Sequence, residues 1–260
     1  MINYRKITQL FGFLTFSLAF LVTPSLVMAL QIFPAGVSIG TTFNGTDVVI
    51  SGEVAGNEEA VVQIVGDKTE AHFKQAGKVG GFLWMTVAHL SLSGAPSAYF
   101  VYLPHTLSEW HQKGDKRWSA LGLDYSALQK DISIEPEQDD ADTIFQDFLK
   151  LKNGHDLYQM VEDGVTYTDL ENNRRQFKTK VSIPADMPRG VYKVRVLKIK
   201  NGTVAGEETA ELSVRLQGFP LFISNMAYNR SLLYGILSVL IAIGAGFFMG
   251  MVFKDKGGAH

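Results

Sequence analysis

The chain has 260 residues with a formal net charge of −2, and it contains six histidines and no cysteine. The absence of cysteine excludes disulfides, thiolate catalysis, iron–sulfur clusters and cysteine-based zinc sites. The nearly balanced charge argues against nucleic acid as a partner, because phosphate binding needs a basic surface. Two apolar blocks lie near the two ends of the chain. The roughly 200 residues between them are enough for one globular core or two small ones.

The N-terminal block has the features of a secretory signal peptide over residues 1–29. Arg5 and Lys6 precede an apolar stretch, and Val27-Met28-Ala29 matches a cleavage site. The mature chain is then expected to begin at Leu30. An uncleaved N-terminal anchor is the alternative, because the apolar stretch reaches about 20 residues.

The first part of the region between the blocks predicts short antiparallel strands. Runs rich in β-branched and aromatic residues lie at 47–54, 60–66, 82–87 and 98–103. Short runs of this composition, separated by glycine and polar residues, are typical of strands at the spacing of a β-sandwich.

The last part of this region alternates apolar with polar residues, which predicts half-buried strands at 177–183 and 191–199. The first of these has its expected inward residues at Phe177, Thr179, Val181 and Ile183. In the second strand the alternation slips at Leu197 and Ile199, which predicts a β-bulge or a change of the buried face.

Asn201-Gly202 is the clearest turn signal, because this pair supplies the two positive-φ residues of a type I′ hairpin. It predicts a hairpin between 191–199 and 208–216. Tyr192 follows a turn at 184–190, as does the tyrosine of many immunoglobulin-like sandwiches whose phenol bonds to upstream backbone. A generic turn before a strand is the alternative interpretation.

Between the two β regions, the pattern becomes helical. Residues 106–109 and 126–129 match capping boxes, and an acidic stretch precedes apolar residues at helical spacing. These apolar residues are Ile144, Phe145, Phe148 and Leu151. We therefore predict a mainly β chain with an immunoglobulin-like β-sandwich ectodomain at 30–218 and a helical insert at about 105–160. Two small β domains joined by a helical linker are the alternative.

The C-terminal apolar block predicts one transmembrane helix at 232–253. These residues carry no charge, and at 1.5 Å per residue they extend roughly 33 Å, enough to cross a bilayer core of about 30 Å. We expect a juxtamembrane linker at 219–231 and a cytoplasmic tail at 254–260. Lys254 and Lys256 in that tail favour a cytoplasmic location.

Small residues recur every four positions along this helix, which predicts a smooth packing face. The predicted helix-packing residues are Ser238, Ala242, Gly246 and Gly250. Close backbone approach along such a face allows self-association or contact with a partner helix. Chance spacing is the alternative, since small residues are common in membrane helices generally.

We find no catalytic, cofactor-binding or metal-binding motif. No two histidines have the sequence spacing of metal ligands. His105 and His111 flank a predicted short helix and are the first pair to examine. The acidic run at 135–142 lacks the pattern of a calcium loop and is typical of a solvated helix start. Residues 174–200 carry nine Lys and Arg against one Asp, which predicts either a basic interaction face or ordinary exposed strand positions.

The chain resembles Alph_Pro_TM, a family of alphaproteobacterial transmembrane proteins. The similarity lies at 37–47, at 62–66, at 183–192 and at Leu233-Tyr234-Gly235. It departs at Asn44, where the family more often has Thr or Ser, and at Gly66-Asp67, where Gly-Pro is common. The resemblance implies a periplasmic ectodomain with one C-terminal anchor and supplies no catalytic residues.

The sequence thus predicts a single-pass inner-membrane protein with a periplasmic ectodomain and a cytoplasmic C-terminus. We expect a non-enzymatic accessory protein that contacts membrane lipid and associates with another inner-membrane protein, such as a transporter, or with itself. The alternative is a periplasmic module that binds a small molecule or an ion. The ligand-binding alternative requires a concave apolar pocket near the insert.

Overall fold

The computed structural model describes residues 30–136, 140–168 and 173–254. The predicted signal peptide and residues 255–260 of the predicted tail lie outside these ranges. The strands are β1 Gln31–Phe33, β2 Gly36–Ile39, β3 Thr46–Ala55, β4 Glu59–Val65, β5 Lys68–Val79, β6 Leu83–Pro96, β7 Tyr99–Tyr102, β8 Ser133–Glu135, β9 Tyr158–Val161, β10 Val165–Tyr167, β11 Arg174–Ile183, β12 Gly190–Lys200 and β13 Thr203–Leu216. The helices are α1 His105–Gln112, α2 Lys116–Leu121, α3 Tyr125–Gln129, α4 Ala141–Gly154, α5 Phe219–Asn229 and α6 Ser231–Lys254.

The strands form three curled sheets, with the orders β1-β3-β11-β10, β2-β13-β12-β4-β7-β9 and β5-β6-β8. Strands from before and after the helical region pair directly, because β3 lies antiparallel to β11 and β4 lies antiparallel to β12. The buried faces of these strands pack into one hydrophobic core. The mainly β class and the helices at 105–154 are confirmed, whereas the immunoglobulin-like arrangement stays a prediction.

The alternation in β11 is confirmed, since the four predicted inward residues are buried and Lys178 and Lys180 are exposed. Asn201 and Gly202 have φ values of 51° and 82°, as a type I′ turn requires. The pairing of β12 with β13 shifts register at Lys198 and Ile199, where the bulge was expected. The Tyr192 hydroxyl donates a 2.6 Å hydrogen bond to the Pro188 carbonyl, so the predicted link to upstream backbone is present.

Strands β4 to β7 are the two arms of one long hairpin that bends at Gly66. On one side of the bend β4 pairs with β7 in the six-stranded sheet, and on the other side β5 pairs with β6 in the separate sheet. Two hydrogen bonds of 2.9 Å cross the bend, from Gly66 N to Ala98 O and from Ser97 N to Asp67 O. A Cβ atom on Gly66 would collide with the Ser97 side chain and lie 2.8 Å from the Tyr192 ring. The bend therefore requires glycine.

Both predicted capping boxes are wrong. Helix α1 begins at His105 after Pro104, which has no side-chain cap, and helix α3 begins after Asp124, whose carboxylate accepts from Ala127 N at 2.9 Å. Proline fits before α1 because it lacks the N–H that would otherwise need a partner. In α4 the helical spacing is confirmed, but Leu151 is 45% exposed and Leu149 is buried.

The C-terminal segment contains two consecutive helices. The predicted juxtamembrane linker is helical over Phe219–Asn229 (α5), and α6 follows after Arg230. Residues Ser231–Phe253 form one helix that is long and apolar enough to cross a membrane, and all of these residues are exposed.

Candidate interaction site

The outer half of the β5–β6 hairpin, residues 74–89, leaves the rest of the protein as a two-stranded extension that we call the ribbon. Within the described strands, its residues pair only with one another, because β8 pairs with β6 no further out than Ser91. Seven residues of β6 at 3.4 Å each give the ribbon a length of about 20 Å. An isolated two-stranded hairpin is marginally stable in water. Its base must therefore hold it in place.

The tip of the ribbon exposes large apolar side chains. Phe82 is 84% exposed, Leu83 53% and Met85 47%. Gly80 and Gly81 precede Phe82 with φ values of 65° and 81°, a conformation that glycine adopts without strain. Contiguous apolar surface of this kind marks binding sites on soluble domains.

Leu83 and Met85, two of the exposed apolar residues of the ribbon, lie on the same face as the buried base. Met85 is opposite Gly77, and Leu90 is opposite Phe73, so the pleat places all four on the same side of the hairpin. Leu83 shares this side because it is two residues from Met85. The inner part of the face is covered, since Leu90 is buried. The outer part, at Leu83 and Met85, is open.

The ribbon is also cationic. Between Ala71 and Pro96 the sequence contains no Asp or Glu, whereas Lys74 and Lys78 lie on the ribbon with exposed side chains. Lys74 is paired with His89 across the strands, on the face opposite Met85. A partner for the ribbon is therefore expected to combine an apolar recess with neutral or acidic surroundings.

A line of aromatic rings joins the base of the ribbon to the core. The ring centroids are 5.9 Å apart between Phe73 and Phe148, 5.6 Å between Phe148 and Tyr158, and 6.1 Å between Tyr158 and Tyr99. Tyr125 stacks on Tyr158 at 6.2 Å. Burial raises the pKa values of Tyr99 and Tyr125 to about 12, so both phenols stay neutral. Aromatic contacts of this geometry add about 0.5–1.5 kcal/mol per pair beyond area burial.

Two hydrogen bonds fix the strand segment at the inner end of β6. The Tyr158 hydroxyl donates to the Pro96 carbonyl at 2.7 Å, and Lys152 Nζ donates to the Ser97 carbonyl at 3.3 Å. The Lys152 ammonium also lies 5.6 Å from the ring centroids of both Phe148 and Tyr158. Burial lowers the pKa of Lys152. These contacts hold the ribbon in one direction relative to the core.

A groove of about 370 Å³ lies between the base of the ribbon and α4. Its apolar lining residues are Phe73, Leu90, Leu92, Ile144, Phe148 and Leu151. Lys74 and Asp147 are the charged residues at its edge. This groove is the concave apolar surface near the insert that a small-molecule site requires.

The other sequence candidates are held by local ion pairs. His105 Nδ1 lies 3.0 Å from Asp163, and His111 Nδ1 lies 3.0 Å from Glu162, so the two histidines fasten α1 to the β9–β10 turn. Within the described residues, no group of three His, Asp or Glu side chains could hold a metal ion. Residues 137–139 of the acidic run lie outside the described residues.

The basic strands largely neutralise themselves by pairing with neighbouring carboxylates. Lys180 Nζ lies 2.8 Å from Asp47, and Lys198 Nζ lies 2.6 Å from Glu208. Arg195 is paired with Glu207 at 2.8 Å. The positive stretch at 174–200 is therefore mostly a set of ordinary cross-strand ion pairs.

The predicted helix-packing residues all lie on α6 and are exposed. Ser238 donates a 2.8 Å hydrogen bond to the Tyr234 carbonyl within the same helix. A Cβ atom added to Gly246 or Gly250 would have no heavy atom within 4 Å. The structure brings no described residue against this face, so its role stays a prediction.

The strand predicted at 82–87 is present as the start of β6, but the sequence pattern placed it in a β-sandwich and did not predict the ribbon. The available signal was Gly80-Gly81 between two β-rich runs, since a Gly-Gly pair is a known hairpin turn. A hairpin turn at Gly80-Gly81 also implies a strand before it, which is β5. The polar residues at 68–78 do not show the alternation that is typical of a half-buried strand.

Replacing Phe82 and Met85 with Ser is expected to change the free energy of unfolding by no more than about 0.5 kcal/mol, because neither side chain packs against the core. Leu92→Ala, at the buried base, should lower it by about 2–5 kcal/mol. Chemical denaturation of the detergent-solubilised chain measures both. Equal destabilisation by the tip and base substitutions would show that the tip has a structural role.

The profile of the family described as "Putative transmembrane protein (Alph_Pro_TM)" matches residues 28–255. No curated protein and no solved structure matches the chain. The match covers every described strand and helix, including the ribbon and the C-terminal helices. The resemblance seen in the sequence is thereby confirmed, and the chain belongs to the Alph_Pro_TM family of transmembrane proteins.

Proposed function

We propose that this protein is a membrane-anchored periplasmic accessory protein, without an enzymatic activity of its own, that binds another inner-membrane protein through the ribbon. The exposed apolar tip on a rigidly held base is the observation that carries the proposal. Membership in a transmembrane family and one membrane-capable helix support the anchored location. A transporter is the class of partner that we favour.

The backbone of the ribbon favours a protein partner over lipid. In a two-stranded ribbon each strand has an outer edge whose N–H and C=O groups lack a neighbouring strand. In hydrocarbon each unsatisfied group costs several kcal/mol, so a bare ribbon is a poor membrane insert. A protein can instead supply a strand to the edge and a recess for Phe82.

The expected test uses a photocrosslinking amino acid at position 82 in the full-length chain in native membranes. We expect one specific adduct with another membrane protein, because the tip enters its recess. The adduct should weaken at least tenfold when Leu83 and Met85 are both replaced with Ser. Mass spectrometry of the adduct identifies the partner.

The matched control places the same crosslinker at Val204, which is 48% exposed on β13 and lies far from the ribbon in sequence. This position should give no adduct of that mass. The proposal fails if positions 82 and 204 give the same products, or if position 82 reacts with lipid alone.

We also propose that the ectodomain lies in the periplasm and that the C-terminus is cytoplasmic. The apolar α6 and the basic residues after it support this orientation. Alkaline phosphatase fused after Gln217 should be active, and the same enzyme fused after His260 should be inactive. The reverse pattern would refute the orientation.

The anchor offers a second contact in this proposal, through Ser238, Ala242, Gly246 and Gly250. In lipid, helices associate through close packing, which small residues allow and large ones block. Replacing Gly246 and Gly250 with Leu should abolish a crosslinked self-associated or partner-bound species, while Leu at Val239 and Ile243 should preserve it. If all four replacements leave crosslinking unchanged, this face contacts only lipid.

Ligand binding is the second candidate function, and the groove lined by Phe73 and Phe148 at the base of the ribbon favours it. Its volume of about 370 Å³ suits a small apolar molecule. Under this function, position 82 gives no protein adduct, and a small molecule stays with the purified protein in native mass spectrometry.

A further inference from the structure

Helix α5 exposes four large apolar side chains beside Asn225 and Asn229, which are also exposed. Its eleven residues carry no charge. At 100° per residue, its exposed side chains fall on one half of the helix and its partly buried ones on the other. The exposed apolar residues are Phe219 at 62%, Leu221 at 40%, Phe222 at 54% and Tyr228 at 78%. A helix on the surface of a soluble domain normally buries its large apolar side chains.

Helix α5 is attached to the β-rich part of the protein through Arg189. Arg189 Nη1 donates a 2.8 Å hydrogen bond to Ser224 Oγ, and the Arg189 guanidinium lies 5.7 Å from the Tyr228 ring centroid. Arg189 follows Pro188, whose carbonyl accepts from the Tyr192 hydroxyl in the core. Helix α5 is therefore linked to the core sheet by a short series of polar contacts.

The position of α5 along the chain determines its surroundings. Only Arg230 separates it from α6, which is the membrane-capable helix, and Arg230 has a non-helical φ of −140°. Phe222 is eight residues from this break, so it lies within about 12 Å of the end of the span. The interfacial layer of a bilayer extends about 5–8 Å beyond the hydrocarbon on each side. A helix that turns at Arg230 into the membrane plane lies within this layer.

We propose that α5 is an interfacial helix, with Phe219, Leu221 and Phe222 in the lipid headgroup and acyl boundary of the bilayer that α6 crosses, and that Arg189 fixes the β-rich unit to it. The occupant of the exposed face is phospholipid. Apolar side chains bind at this depth in other interfacial helices, and Tyr228 has the amphipathic ring that prefers the interface. The proposal depends on membrane anchoring by α6 but not on the partner of the ribbon.

The absence of cysteine makes the depth of α5 directly measurable in the full-length chain. Single variants Phe222→Cys and Val204→Cys are spin-labelled and reconstituted into phosphatidylcholine–phosphatidylglycerol vesicles. At position 222, the collision rate with oxygen should exceed that with a water-soluble nickel chelate severalfold, whereas position 204 should show the reverse. Equal accessibility to the chelate at both positions would overturn the interfacial placement.

The role of Arg189 is tested by the distance between labels at Val204 and Ile236, one on β13 and one on α6. Electron–electron resonance should give a narrow distance distribution that Arg189→Ala broadens at least twofold. Arg215→Ala, which removes another exposed arginine, is the control and should leave the width unchanged. An unchanged width in Arg189→Ala shows that Arg189 does not couple the unit to α5.

Discussion

The bend at Gly66 is the constraint on which the arrangement of the molecule depends. One hairpin supplies two strands to the core sheet and then leaves it as the ribbon, and the Tyr192 ring lies where a larger residue would have its Cβ. Tyr192 is in turn held by Pro188. The adjacent residue Arg189 contacts α5. The direction of the ribbon and the attachment to the membrane-proximal helix are therefore set by the same few contacts.

Pairing between distant strands makes this arrangement possible. The ladder between β3 and β11 joins residues more than 110 positions apart, so the chain must close a large loop before either strand is stabilised. A buried polar network then ties the helical region to the sheet. Arg195 donates to Gln63, Gln63 donates to the Tyr99 hydroxyl, and that hydroxyl donates to the Leu123 carbonyl, with distances of 2.8–2.9 Å. Each buried polar group in this series has a partner, as burial requires.

The sequence was most informative where a strand has one buried face and one exposed face. In such a strand, apolar residues that face the core alternate with polar residues that face solvent. For this reason β11 and the bulge in β12 could be predicted, together with the Asn201-Gly202 turn that follows β12. The sequence was least informative for the ribbon, because Lys74 and Lys78 are exposed and the sequence at 74–79 shows no alternation of apolar and polar residues. The helix starts were also mispredicted, because Pro104 and Asp124 each lie two residues before the start of the matched capping pattern.

The candidate site escaped prediction for a related reason. Sequence patterns identify residues that must be buried, and an apolar residue such as Phe82 carries no mark that it is exposed. The register of β5 and β6 places Leu83 and Met85 on the same face as Leu90. Leu90 is buried against the core, whereas Leu83 and Met85 lie farther out along the hairpin and are exposed. The position of α5 was equally hidden, since an uncharged stretch before a membrane span has the composition of a linker.

Among the described residues, α6, α5 and the ribbon each expose several large apolar side chains, and each has a different physical requirement. Helix α6 satisfies its own backbone hydrogen bonds, so lipid alone can cover it. Helix α5 also satisfies its backbone, but its polar contacts through Arg189 keep one side against protein, which suits the interface rather than the bilayer interior. Within the described strands, the edges of the ribbon beside its apolar tip have no neighbouring strand, so hydrocarbon cannot cover the ribbon without leaving polar groups unsatisfied. Of the three surfaces, the ribbon is therefore the one for which we propose a protein partner.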